Sequence, residues 1–239
     1  MDTPRSDHRI GSEDYIGRMN LEGGRGVFQG NRPKIDFVFG KARPFLRPGM
    51  KVAEFGLGEG YLVRKLHDAG MSVTGLDLSG YLVERLGERT AAEGRTIRFI
   101  QADIADPGGY PLGELDAVFC LDILEHVDEE AYRQALENIH AALRDGGILV
   151  GTVPNQENLV RSMVCCPSCG HEFHRIGHRQ SFDRAKLLGT LEGKFTVRKL
   201  GLVQPWTPVD LALRLKKAIL YPFRRYAPGD TFYFVASRR

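Results

Sequence analysis

Glu54-Phe55-Gly56-Leu57-Gly58-Glu59-Gly60 decides the reading of this chain. The stretch closes a short apolar run, residues 51–55 (KVAEF), and opens a helical pattern that continues to Ala69. A strand, a glycine-rich turn and a helix in that order build a ligand cradle. The glycines let backbone come close to a bound group, and the helix N-terminus favours negative charge. A dinucleotide fingerprint would need its third glycine one residue later, where Tyr61 stands, so the turn departs from that pattern.

The same rhythm repeats downstream. Residues 72–76 (SVTGL) run into Asp77 and then a helical stretch at 81–92. Runs at 97–101, 116–121 (DAVFCL) and 148–153 read as further strands, with a periodic helix over 131–143 stopped by Asp145-Gly146-Gly147. Two late strands follow at 195–203 and 231–237, the last alternating aromatic and small residues as an edge or antiparallel strand does. Strands alternating with helices imply right-handed crossovers. The expected fold is α/β: a doubly wound, Rossmann-like, seven-stranded, mostly parallel sheet with an antiparallel last strand. A carboxylate ending the second strand, Asp77, suits a grip on two ribose hydroxyls.

The chain has 239 residues, 42% of them apolar and 26% charged, enough for one sizeable α/β domain. That composition excludes a coiled coil, a collagen-like fibre and a disordered chain. No apolar run approaches ~18 residues, the length of a spanning helix. The first ten residues are polar and lack an apolar signal core, so a cytoplasmic enzyme is expected, with a peripheral place at a membrane as a variant. Net charge is +3, but from His174 onward there are 14 Lys/Arg against 4 Asp/Glu, leaving −7 on the remainder. A basic C-terminal third suits an anionic partner or surface.

With its motifs in order, the sequence resembles the class I S-adenosylmethionine-dependent methyltransferases, in their ubiquinone-biosynthesis-like (type 11) branch. The likeness covers residues 32–237 and rests on five segments: the E-x-G-x-G-x-G turn, Asp77, Ala102-Asp103-Ile104, residues 116–127 (DAVFCLDILEHV) and residues 143–155 (LRDGGILVGTVPN). The resemblance implies that Glu54, Phe55 and the backbone of Gly56, Gly58 and Gly60 hold the methionine part of S-adenosylmethionine. It implies Asp77 and Leu78 at the ribose, Asp103 at the adenine amino group, Ile104 against the ring, and backbone contacts from Cys120. Cys120 lies inside an apolar strand, so its thiol reads as core.

The end of the fourth strand bears on the methylated atom. Base-amino methyltransferases carry an acid or amide followed by two prolines there, whereas this chain has Leu121-Asp122-Ile123-Leu124-Glu125. An alcohol or phenol oxygen on a small-molecule, glycan or lipid-linked acceptor fits by elimination. Asp122, Glu125 and His126 resemble an acid-x-x-Glu-His segment that binds Mg²⁺ or Mn²⁺ in some oxygen methyltransferases, where a cation would lower the acceptor pKa. His178 falls where those relatives place a later histidine. The alternative is that Glu125 and His126 only order the loop.

Two segments interrupt the rhythm. Residues 156–180 carry Cys166-Pro-Ser-Cys169-Gly170 followed by His174 and His178, a spacing suited to tetrahedral zinc, with Cys165 and His171 as substitutes. His178 cannot serve both this clasp and the cation site. Residues 204–229 form a basic, aromatic insert in which Trp206, Tyr221, Phe223 and Tyr226 surround lysines and arginines. That insert suits a lid, or an anionic membrane surface met by 206–226. Residues 1–31 would be an N-terminal cap on a single domain of 1–239. Competing readings are an RNA ribose 2′-O-methyltransferase and a non-catalytic scaffold; an intact glycine turn with three acids in register argues against the scaffold.

Overall fold

The computed structural model describes residues 14, 17, 18, 21, 31–106, 108, 112–203 and 231–239. The expected insert at 204–229, with its lid and membrane readings, and most of the N-terminal cap lie outside the described residues. The fold runs α1 (Arg32–Ala42), β1 (Lys51–Phe55), α2 (Tyr61–Asp68), β2 (Ser72–Asp77), α3 (Gly80–Ala92), β3 (Arg98–Gln101) and β4 (Leu115–Leu121). It continues α4 (Glu129–Ala142), β5 (Leu143–Pro154), β6 (Met163–Cys165), β7 (Glu172–His174), α5 (Arg184–Leu191), β8 (Phe195–Leu202) and β9 (Thr231–Arg238).

Seven strands form one sheet in the order β3-β2-β1-β4-β5-β9-β8, and β6-β7 is a separate hairpin. The first five are parallel. Strand β9 is antiparallel to both its neighbours, β5 and β8. It is therefore an interior strand, and β8 takes the edge. The alternation of aromatic and small residues in β9 reflects two covered faces: Phe232 and Phe234 join one core, Val235 the other.

Buried central strands read as continuous apolar runs because helices cover both faces. Period-two alternation divides them. Ala53, Phe55, Val118 and Cys120 pack with Tyr132, Leu136 and Ile139 of α4. Val52, Ala117 and Phe119 pack with Leu62 and Leu66 of α2 and Leu86 of α3. Helix starts are fixed by short polar side chains at the N-cap: Ser79 accepts from Leu82 N–H, Asp128 from Ala131 N–H and Asp183 from Lys186 N–H.

The expected helix stop at Asp145-Gly146-Gly147 differs in detail. Helix α4 ends at Ala142, and β5 already begins at Leu143, paired with Leu115 before the register shifts to Ala117↔Ile148. The glycines thus sit in a bulge. A Cβ on Gly147 would come within 2.8 Å of the Arg144 carbonyl, which is why the chain needs glycine there.

Candidate functional site

The carboxyl ends of β1 to β5 place Gly56, Asp77, Asp103, Asp122 and Asn155 along one edge of the sheet, the edge where open α/β sheets bind ligands. In the turn after β1, Gly56, Gly58 and Gly60 all have positive φ, at 77°, 51° and 71°. A side chain at Gly56 would put its Cβ 2.0 Å from Ile123 Cδ1. Asp77 fastens this turn: its Oδ2 accepts the Leu57 N–H at 2.8 Å and its Oδ1 accepts the Ser79 N–H at 2.9 Å. Burial lifts the Asp77 carboxyl above its ordinary value, and those backbone N–H groups work against the shift. A carboxylate has about four lone-pair directions, so acceptor capacity remains beyond these two bonds. Beside it Leu78 is 51% exposed, an uncovered apolar side chain at the mouth of the cradle.

Glu54 is buried and its carboxylate accepts the Val63 N–H in the first turn of α2, while Oε2 has no partner. Burial pushes its pKa well above the usual range. Asp103 is exposed, with Oδ1 accepting the Ala105 N–H at 2.8 Å, and Ile104 is buried behind it. Phe55 and Cys120 face the core, which leaves only their backbone to reach a ligand. Burial raises the Cys120 thiol well above its usual pKa.

The turn after β4 is strained and heavily bonded. Asp122 has φ 54°, a left-handed value that costs a non-glycine residue energy. Its N–H donates to Thr152 Oγ1 at 2.9 Å, the Thr152 hydroxyl donates to Asp122 Oδ1 at 2.7 Å, and Lys34 pairs with Oδ2. The resemblance implies one cation shared by Asp122, Glu125 and His126, with loop ordering as the alternative. The structure instead commits the Asp122 oxygens to Thr152 and Lys34, and sets Glu125 and His126 beside His178. Ligand atoms of those three lie within 4.8 Å of one another. Glu125 is 1% exposed with neither carboxylate oxygen hydrogen-bonded. Burial first, and the nearby Asp122 second, push its pKa well up. Burial and the neighbouring His178 hold His126 below the usual imidazole value.

The insert is a closed excursion. Gln156 N–H donates to the Phe182 carbonyl at 2.7 Å, joining its ends. Gln180 ties it to the β4 turn, its Nε2 donating to the carbonyls of Leu124 at 3.0 Å and Val127 at 2.8 Å. The expected zinc clasp of Cys166, Cys169, His174 and His178 does not come together among the described residues. Met163 pairs with His174 at the base of the β6–β7 hairpin, while both cysteines sit at its tip. Three extended residues span ~10 Å, far beyond the ~2 Å of a metal–ligand bond. His174 ends strand β7, so the two histidines do not share a helical turn. At the tip, Cys166 is flanked by the N–H groups of Ser168 and Cys169, which lower its thiol pKa. His174 and His178 meet carboxylates instead: a second group of Glu157, His174 and His178 also lies within 4.8 Å.

Sequence reasoning missed Lys34, Thr152, Glu157 and Gln180, which carry most contacts of this centre. Thr152, Glu157 and Gln180 lie in the 143–155 motif and the 156–180 insert, but a lone threonine, glutamate or glutamine carries no mark of a distant partner. Asp14 was also missed. It accepts from Ser79 Oγ at 2.8 Å and Tyr81 N–H at 3.1 Å, beside Asp77.

Residues 52–147 match the sequence profile of a methyltransferase domain family. The ubiquinone biosynthesis O-methyltransferase of Vibrio parahaemolyticus is 30% identical over 121 residues, 51% of this chain and 50% of that protein. The enzyme of the same name from Thiobacillus denitrificans is 24% identical over 191 residues, 80% and 79% of the two chains. The chain spans about half the length of the first curated relatives it matches. Among solved structures, an S-adenosylmethionine-dependent methyltransferase from Mesorhizobium loti superposes with a TM-score of 0.63 at 19% identity, over 86% of this chain and 100% of that one. Residues 52–147 are thus similar to a methyltransferase domain, and the sheet built around them has the fold seen in that Mesorhizobium loti S-adenosylmethionine-dependent methyltransferase.

Proposed function

We propose that this chain transfers a methyl group from S-adenosylmethionine to a hydroxyl oxygen of a small-molecule, glycan or lipid-linked acceptor. The supporting observation is the pairing, on one sheet edge, of a positive-φ glycine turn fastened to Asp77 with the Glu125–His126–His178 centre, in which a buried carboxylate meets two more open imidazoles. When bound, the cofactor supplies the methyl of its sulfonium. Gly56 and Gly58 leave room for its backbone contacts, Asp77 accepts from ribose hydroxyls, Leu78 offers an apolar face, and Asp103 stands at the adenine end. Glu125, His126 and His178 hold the acceptor hydroxyl. Their unpartnered, buried carboxylate and converging imidazoles also fit a Mg²⁺ or Mn²⁺ ion, which would lower the pKa of that hydroxyl. Positioning of acceptor against sulfonium supplies most of the rate.

Calorimetry with the wild type should detect S-adenosylmethionine binding. Asp77→Ala should weaken it by ~1–3 kcal/mol, the worth of a charged acceptor to a diol. Absent wild-type binding leaves the scaffold reading. Labelled cofactor supplied with cell fractions should then yield an O-methyl product in the small-molecule or lipid fraction. Label on nitrogen would overturn the oxygen assignment, and label on ribose of RNA would favour the RNA reading. Exhaustive chelation should stop turnover and Mn²⁺ restore it; full activity after chelation would remove the ion.

A further inference from the structure

His178 stands between two carboxylates. Its Nδ1 contacts Glu157 Oε2, and its Nε2 lies 3.9 Å from Glu125 Oε1. The ring stacks on His174 at 5.0 Å and meets His126 edge-on at 4.8 Å. A neutral imidazole carries one proton, and its placement decides which nitrogen keeps a lone pair.

The neighbouring histidine resolves the pattern. The His178 backbone N–H donates to His174 Nδ1 at 3.1 Å. Neutral His174 therefore bears its proton on Nε2, which is buried and lies 3.5 Å from Glu157 Oε1. A protonated Nε2 cannot ligate a metal, so Glu157, His174 and His178 form a proton-ordered set instead of an ion site. Glu157 Oε2 then accepts from His178 Nδ1–H, while His174 Nε2–H lies near Oε1 without a hydrogen bond to it. The opposite tautomer of His178 would set its Nδ1 lone pair against the Glu157 oxygen. Its Nε2–H would gain nothing in exchange, because 3.9 Å to Glu125 is too long for a hydrogen bond.

We propose that Glu157 holds His178 in its Nδ1–H tautomer and so presents the Nε2 lone pair to the Glu125–His126 centre. Glu157 is a positioning residue: it acts through His178, as carboxylates behind metal-bound histidines do. The inference deepens the proposed function and rests on it only for what the lone pair receives.

Two-bond ¹H–¹⁵N correlation of the full chain, labelled at histidine, reads the tautomer without substrate or metal. The wild type should show His178 protonated on Nδ1. Glu157→Gln should retain this, because the amide oxygen still accepts, and Glu157→Ala should shift His178 toward a mixed or Nε2–H form. A wild-type Nε2–H signal, or a Glu157→Ala spectrum identical to wild type, overturns the proposal. Mn²⁺ titration followed by electron paramagnetic resonance supplies the second arm. Glu157→Ala should weaken Mn²⁺ about 10–100-fold and Glu157→Gln only slightly. If wild type binds no Mn²⁺ while the tautomer behaves as stated, the cation part of the proposed function fails and the role of Glu157 stands.

Discussion

The glycine turn and the histidine insert sit on the same sheet edge, yet they are built in opposite ways. The turn is local: seven consecutive residues, three with positive φ, pinned by one carboxylate twenty residues on. The insert is assembled from a distance. Gln180 reaches back to Leu124 and Val127, and His178 meets Glu125 and Glu157. A locally determined site fails when a single backbone conformation is denied. A site assembled from afar fails when its anchor to another element is cut.

Gly56→Ala should therefore have the largest effect. The added Cβ meets the Ile123 side chain at 2.0 Å, at a φ of 77° that side chains avoid, so the Ile123 side chain must shift and the turn is strained in any case. S-adenosylmethionine affinity should fall more than 100-fold in calorimetry, about 3 kcal/mol or more. Affinity within tenfold of wild type would mean the turn yields more readily than its geometry allows.

Cutting the anchor tests the other region. Gln180→Ala removes both side-chain bonds to the β4 turn, keeps the backbone bond from Arg179 N–H to the Glu125 carbonyl, and leaves a buried Leu124 and a half-buried Val127 carbonyl short of a donor, a cost of ~1–3 kcal/mol. Hydrogen exchange should rise across the insert and turnover should drop. Cofactor affinity should stay within a few-fold, because no Gln180 contact touches the glycine turn. A matching loss of cofactor affinity would join the two regions into one unit.

How far each region was legible follows from the same contrast. The succession of strands and helices and the turn were readable because apolar periodicity and glycine placement are local. Even there, the sequence pointed to Asp77 as a ribose ligand and gave no sign that its oxygens already hold Leu57 and Ser79. The insert was misread because C-x₂-C with two histidines suggests one ion, and nothing in the spacing says that β7 is extended. Lys34 was invisible: it is 88 residues from Asp122, and a lysine on a helix carries no mark of its partner.

Glu54 offers a smaller effect with a definite sign. Its folded pKa is raised by burial, so ionising it costs stability, and the cost appears as pH rises above the unfolded value of ~4.3. Glu54→Gln keeps an acceptor for Val63 N–H without the charge. Denaturant midpoints should match below pH ~4. At higher pH the variant should be more stable by on the order of 1–2 kcal/mol. A gap that widens on acidification would reverse the argument.

The smallest effect belongs to the hairpin tip. Cys166→Ser with Cys169→Ser changes two side chains at one end of a hairpin whose other end carries His174. Hydroxyls can accept the same Ser168 and Cys169 N–H bonds, so the turn should persist. His174 and His178 take their contacts from Glu157, Glu125 and each other, and none from sulfur. The ring signals of both histidines should therefore stay unchanged, with cofactor affinity within a few-fold of wild type. A shift of the His174 or His178 resonances in the double variant would show that thiolates and imidazoles do converge in solution. The insert would then be organised around the four residues its sequence suggests, and not around the carboxylates of Glu125 and Glu157.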